Sequence, residues 1–227
     1  MEINADFTKR VLVHSADEPW VASPMAGVDR RMLDRLGDEV ARATSIVRYA
    51  PGSHFSAHTH TGEEEFLVIE GVFQDEHGDF PEGTYVRNPP TTSHTPGSEA
   101  GCTIFVKLWQ FDMKDRNQFK VDTNSDEYAE VEGAAGVKRL VLHADYNEDV
   151  SVERWAPGAE VKLDAKEGLE ALVLDGSFSE AGEAFSKHSW LRLPKGAASQ
   201  AIAGDEGAKV WIKRNHLTEQ PAPPNIG

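Results

Sequence analysis

The sequence predicts an all-β chain folded as two barrels in tandem, and three observations carry that reading. From Ala43 onward, short apolar runs are interrupted roughly every 8–12 residues by Pro-Gly, Asp-Glu-His-Gly, Pro-Glu-Gly and Pro-Pro turns, the spacing of an antiparallel barrel without long helices. Words of the first half then return in the second: Arg48-Tyr-Ala-Pro-Gly52 as Arg154-Trp-Ala-Pro-Gly158, Phe66-Leu-Val-Ile-Glu-Gly71 as Ala171-Leu-Val-Leu-Asp-Gly176, and Ile104-Phe-Val-Lys-Leu108 as Val210-Trp-Ile-Lys-Arg214. Repetition over about ninety residues signals duplicated domains rather than a short-period solenoid. A length of 227 residues is enough for two cores of ordinary size.

Residues 7–14, Phe-Thr-Lys-Arg-Val-Leu-Val-His, read as a leading strand, and Pro19-Trp20 to Gly27 as a loop that lays an aromatic onto the first barrel. Arg30 to Leu36 could be a short helix, since Met32, Leu33 and Leu36 fall at helical spacing. Gly52 to Gly71 reads as a hairpin: Thr61-Gly62-Glu63 supplies the turn, and the apolar run Phe66-Leu67-Val68-Ile69 is the return strand, ended by Gly71. Gly83 to His94 offers a short strand and a proline-locked turn. Asn117 to Gly136, polar and acidic through Asp122-Thr-Asn-Ser-Asp-Glu127, reads as a linker. The expected domains are therefore residues 1–116 and 137–227, joined by 117–136.

The chemistry lies in the first half. Residues two apart on a strand face the same way, so His58 and His60 can address one ion, and the turn brings Glu64 back beside them. His94, after the proline turn, is the fourth candidate ligand. Three imidazoles and a carboxylate suit one divalent transition-metal ion such as zinc, iron(II), manganese or nickel; calcium takes oxygen ligands. Gly-x5-His-x-His-x3-Glu-x6-Gly over 52–71, followed by Gly-x5-Pro-x4-His over 83–94, resembles the two motifs of the cupin superfamily. One departure is Thr91, which stands where the usual glycine follows the proline by two. The surrounding words, "TSIVRYAPGSHFSAHTHTGEEEFLVIEGVFQDEHGDFPEGTYVRNPPTTSHTP" and "GCTIFVKL", resemble the cupin-like domain of ChrR-type anti-sigma factors.

That resemblance implies double-stranded β-helix (jelly-roll) barrels, a strand rather than a helix at 30–36 with a turn at Gly37-Asp38, and metal ligation by His58, His60, Glu64 and His94. In the second copy, counting from Gly158 places Asp164 and Lys166 at the positions of His58 and His60. Counting back from Gly176 places Leu169 at Glu64, while Ser199 or Gln200 answers His94. A lysine ammonium repels a divalent cation, so the second barrel is expected to be metal-free and retained for packing.

The remaining signals narrow the function. A net charge of −15 argues against nucleic acid and anionic membrane surfaces. One cysteine, Cys102, excludes an intramolecular disulfide and thiolate zinc sites, which together with an acidic N-terminus and no span of about 20 apolar residues points to the cytoplasm. Cys102 is expected as a buried inert thiol, Glu65 as a structural acid facing away from Glu64, and His54 with equal weight as a second-sphere donor or a solvated side chain. His14, His77, His143, His188 and His216 lack partners at ligand spacing and read as surface or structural residues.

Three function classes fit: a regulatory metal-binding sensor like the cupin half of ChrR-type proteins, an iron(II) dioxygenase similar to the cupins that cleave small diketones and hydroxyketones, and a structural barrel closed by zinc. The sensor is the leading expectation, and whether the chain is an enzyme is left open. ChrR-type proteins grip their sigma factor through a separate zinc-binding helical domain with a Cys-x-x-Cys pair. Residues 1–20 have no such pair, so a sigma factor is not an expected partner. The expected partners are a small molecule at the metal and, as a homo-oligomer, further copies of the chain.

Overall fold

The computed structural model describes residues 1–38, 40–217 and 221–224. Its described residues form strands and turns without a helix, and hence no helix long and apolar enough to cross a membrane. Contacts group the chain into two compact units: Met1–Ala5 with Pro19–Asn124 and the segment from Ala222 on, which the sequence reading had placed in the second domain, and Asp6–Glu18 with Ser125–Pro221.

Both units repeat one sheet order. In the first, Glu2–Ile3, Val28–Gly37, Ala41–Tyr49, Cys102–Leu108, Glu64–Asp75, Thr84–Asn88 and Phe119–Asp122 lie side by side in that order across the sheet. In the second the order is Ala129–Glu130, Val137–Ala144, Asp149–Trp155, Ala197–Arg214, Leu169–Glu180, Ser189–Leu193 and Val11–His14. All pairings among the described residues are antiparallel, and the chain folds as two β-barrels in tandem. The final position in each sheet departs from the boundaries read from sequence. The leading strand Val11–His14 pairs with Ser189–Leu193 and so completes the second unit. The stretch 117–136 carries two strands: Phe119–Asp122 on Thr84–Asn88, and Ala129–Glu130 on Val137–Ala144, with the division falling between Asn124 and Ser125. Its acidic side chains face solvent while Phe119 and Val121 are half-buried, so composition hid a period-two strand. The C-terminal limit at 227 lies outside the described residues.

Residues 30–36 lie in the strand Val28–Gly37, as the resemblance implied. A register shift between Met32 and Asp34 inserts an extra residue, Leu33, which is fully buried; this bulge produces the helix-like spacing. The guanidinium groups of Arg31 and Arg48 both lie over the Trp20 ring, 4.2 and 4.4 Å from its centroid, and hold the loop that precedes this strand.

The first interior is lined by Val28, Val47, Phe66, Val68, Phe73 and Ile104 with their buried neighbours. Its shape depends on the strand Glu64–Asp75. Twelve extended residues laid straight would hold the ends roughly 36 Å apart, yet side chains from both ends reach the same imidazole, His94. The strand therefore folds back on itself, and Gly71, at φ +73°, takes the left-handed conformation there. A Cβ at Gly71 would also strike the Gly101 carbonyl, so a side chain is excluded twice over.

Candidate metal centre

The site is assembled where two short strands meet the start of this long one. His58–Thr59 pairs antiparallel with Ser93–His94, which sets His94 directly opposite His58. The ladder continues as the His60 amide donates to the Thr92 carbonyl at 2.8 Å and the Thr91 amide to the His60 carbonyl at 2.9 Å. Period two then turns His58 and His60 to the same side, and turns Glu64 inward with Phe66 and Val68.

The result is one cluster. Ligand-capable atoms of His58, His60, Glu64 and His94 all lie within 4.8 Å of one another, a group able to hold a metal ion. The three imidazole centroids are 4.7–5.2 Å apart, and Glu64 lies 3.7 Å from Nε2 of both His60 and His94. His60 and His94 are buried while His58 is exposed, so the cluster is closed on the barrel side and open toward His58.

The donor chemistry fits an ion. Nε2 of His60 and of His94 are buried without a hydrogen-bond partner, an arrangement that is costly unless something else accepts their lone pairs. For His60 the tautomer follows from its neighbours. Its Nδ1 is 2.9 Å from Thr92 Oγ1, whose hydroxyl already donates to the Pro89 carbonyl at 2.7 Å. The Thr92 oxygen is thus left to accept Nδ1–H, which leaves the Nε2 lone pair facing the cluster.

Electrostatics point the same way. Burial, with His94 and His58 close by, pushes His60 down to about 3, and burial with His58 nearby takes His94 down to about 4. Both are therefore neutral donors at physiological pH. Burial, with Asp75 and Glu63 adding to it, raises Glu64 to about 7. Tyr49, packed edge-on against Phe55 and Phe73, has its phenol pushed up by burial and by Glu64.

Residues outside the four candidate ligands hold the frame, and the sequence did not single them out. Glu63, read as part of a turn, is buried and accepts the Gln110 amide, while the Trp109 indole packs so closely on Gly62 that a Cβ there would overlap its ring. Asp75 reaches Nδ1 of His94. Nothing in the sequence tied these positions to the motif, because each contact crosses 19 residues or more.

The other candidates resolve individually. His54 is exposed and pairs with Glu99 at 3.0 Å, away from the cluster. Glu65 faces away from Glu64's side and is buried, accepting the Tyr85 hydroxyl at 2.8 Å. Cys102 sits in the first core, where burial pushes its thiol up to about 11. His14 bonds Ser189, His143 meets Asp145, and His216 meets Glu170.

The second unit corrects the count made from Gly158. Asp164 and Lys166 are exposed, whereas Leu163 and Ala165 face inward with Leu169 and are fully buried. In the first barrel His94 opposes His58; in the second, Ser199 opposes Leu163. The structural counterparts of His58 and His60 are thus Leu163 and Ala165, one residue earlier than predicted. Apolar filling occupies this interior, and lysine repulsion has no part in it.

Residues 8–112 match the family model described as ChrR Cupin-like domain. No curated protein matches. Among solved structures, a candidate dioxygenase from Nostoc punctiforme superposes with a TM-score of 0.76 at 13% identity, covering 97% of this chain and 87% of that one. A candidate glyoxylate-induced protein from Pseudomonas aeruginosa gives 0.70 at 14% identity over 99% and 95% of the two chains. A deletion mutant of Bacillus subtilis oxalate decarboxylase gives 0.63 at 13% identity, covering 90% of this chain and 76% of the other. At such identities the likeness is one of fold.

Proposed function

We propose that the chain is a metal-dependent small-molecule sensor of the cupin superfamily, holding one divalent transition-metal ion through His58, His60, Glu64 and His94. The observation that carries this is the pair of buried, unpartnered Nε2 atoms aimed into a cluster of four donors. Such an ion supplies Lewis acidity and coordination positions for a ligand's oxygen atoms. The chain's own residues do the rest. Thr92 orients His60, the barrel interior excludes water behind His60 and His94, and the exposed edge at His58 gives a small ligand its approach. The match to a ChrR cupin-like domain over 8–112 supports the sensing role.

Metal analysis of protein purified without chelators, beside a His60→Ala variant, tests the reading. Loss of one of four ligands should weaken zinc binding by roughly a hundredfold or more; a fully loaded variant would sink the ligand assignment.

A second reading, an iron(II) dioxygenase acting on a small diketone or hydroxyketone, is supported by the open side at His58 and by the fold shared with the Nostoc protein. Oxygen uptake by protein reconstituted with iron(II) under nitrogen, then given diketones and air, separates the two. Uptake lost in His94→Ala favours the enzyme, and silence across a broad panel favours the sensor.

A further inference from the structure

We propose that the turn from Asp75 to Gly78 is a clamp for His94, with Asp75 a positioning residue that presents the imidazole to the ion; this rests on the metal-binding reading of His94. The turn closes the hairpin between Glu64–Asp75 and Gly78–Pro81, where Asp75 pairs with Gly78. It grips His94 twice. The Asp75 carboxylate lies 3.5 Å from Nδ1 of His94, and both side chains are nearly sealed from solvent. One residue on, Glu76 accepts the amide of Thr95 at 2.7 Å, tying down the backbone next to the same histidine.

Asp75 is itself held in place. Its other oxygen accepts the His77 amide at 2.7 Å, so the carboxylate is aimed by the turn and not by a flexible side chain. Nδ1 of His94 is buried and makes no hydrogen bond, and the Asp75 oxygen is the acceptor facing it. A ring shift of about 0.6 Å brings the pair to hydrogen-bond distance. Nδ1–H then belongs to Asp75 and the Nε2 lone pair to the ion, the same division that Thr92 makes for His60. The Phe73 ring, 5.8 Å away and inclined by 33°, limits rotation of the imidazole.

The second unit shows that the framework delivers this contact. Its hairpin pairs Glu180 with Glu183, and Ser199 Oγ, at the position answering His94, donates to Glu180 at 2.5 Å. The acid at the strand end thus reaches the counterpart residue even where no imidazole stands.

The experiment compares wild type, Asp75→Ala and Asp75→Asn by zinc competition with a chromophoric chelator, by the visible bands of the cobalt(II) forms, and by melting of the metal-free proteins. Asp75→Ala should bind zinc about 10–100-fold more weakly with shifted cobalt bands, and Asp75→Asn, which keeps an acceptor oxygen, should recover part of the loss. Two results overturn the clamp while leaving the metal site standing. One is Asp75→Ala binding zinc like wild type with unchanged bands; the other is equal losses in both variants matched by lower melting of the metal-free forms. Wild type that binds no zinc would remove the metal reading, and the clamp with it.

Discussion

Replacing Glu64 by Gln should abolish a pH dependence of metal binding that the wild-type geometry imposes. Glu64 is mostly buried, 3.7 Å from two neutral imidazoles, and raised to about 7 by burial with Asp75 and Glu63 close by. His60 and His94, at about 3 and about 4, have no proton to lose near neutrality. Of these three candidate ligands Glu64 alone must release a proton for the ion, and the exposed His58 is common to wild type and variant, so the difference between the two isolates Glu64. The sign follows: below about 7 the ion competes with that proton and apparent affinity falls, and above it the competition ends. With one proton in play, the apparent constant is cut about 11-fold at pH 6 and about 1.1-fold at pH 8, a ratio near tenfold or about 1.4 kcal/mol. Zinc competition at pH 6, 7 and 8, with calorimetry in buffers of different ionisation enthalpy, reads both quantities. Wild type should release about 0.9 proton from this group at pH 6 and about 0.1 at pH 8. Glu64→Gln should bind more weakly overall and show a pH dependence smaller than that of wild type by this tenfold step. A flat wild-type profile, or the same step in the variant, would refute the reasoning.

Two further outcomes concern the frame around the cluster. Thr91 holds φ +80° in the proline turn, where a β-branched residue pays roughly 1–2 kcal/mol; Thr91→Gly should recover a net of about 0.5–1 kcal/mol after the glycine's greater unfolded-state entropy. Urea melts of the metal-free protein check this, and a destabilised variant would show that the threonine side chain supports the turn. Gly62→Ala places a methyl into the Trp109 ring and should cost about 1–3 kcal/mol while shifting the indole fluorescence. Unchanged stability and emission would mean that the packing of Trp109 on Gly62 does not constrain the turn before Glu64.

How much of this was legible depended on the range of the interaction. The His-x-His pair and Glu64 could be read because strand period and a glycine turn are local rules, and His94 because a proline turn marks the end of its segment. The clamp at Asp75 could not, since "DEHG" reads as an ordinary turn until the fold-back at Gly71 carries it to His94. The exchange of the leading strand was equally hidden. Val11–His14 has the alternation of any edge strand, and nothing local says which sheet it completes.

The second barrel shows how a correct repeat can still give a wrong site. Gly158 and Gly176 were aligned properly, yet the segment between them does not keep the first copy's spacing: Leu169 matches Glu64 in register, pairing with Leu193 and Arg214 as Glu64 pairs with Asn88 and Leu108. The strand Glu160–Ala165, by contrast, is offset by one. In a sheet of period two, an offset of one exchanges the faces, so the charges counted as ligand positions emerge in solvent and the aliphatic residues beside them fill the interior. It follows that exchanging Lys166 for histidine would place an imidazole on the outside and create no site. Rebuilding one would require histidines at 163 and 165 and a carboxylate at 169, each introduced into a fully packed core at the cost of burying polar groups among apolar ones. The two barrels thus differ at matching positions of one framework: the first sets His58, His60 and Glu64 at the open edge of an apolar interior, and the second fills the same places with Leu163, Ala165 and Leu169.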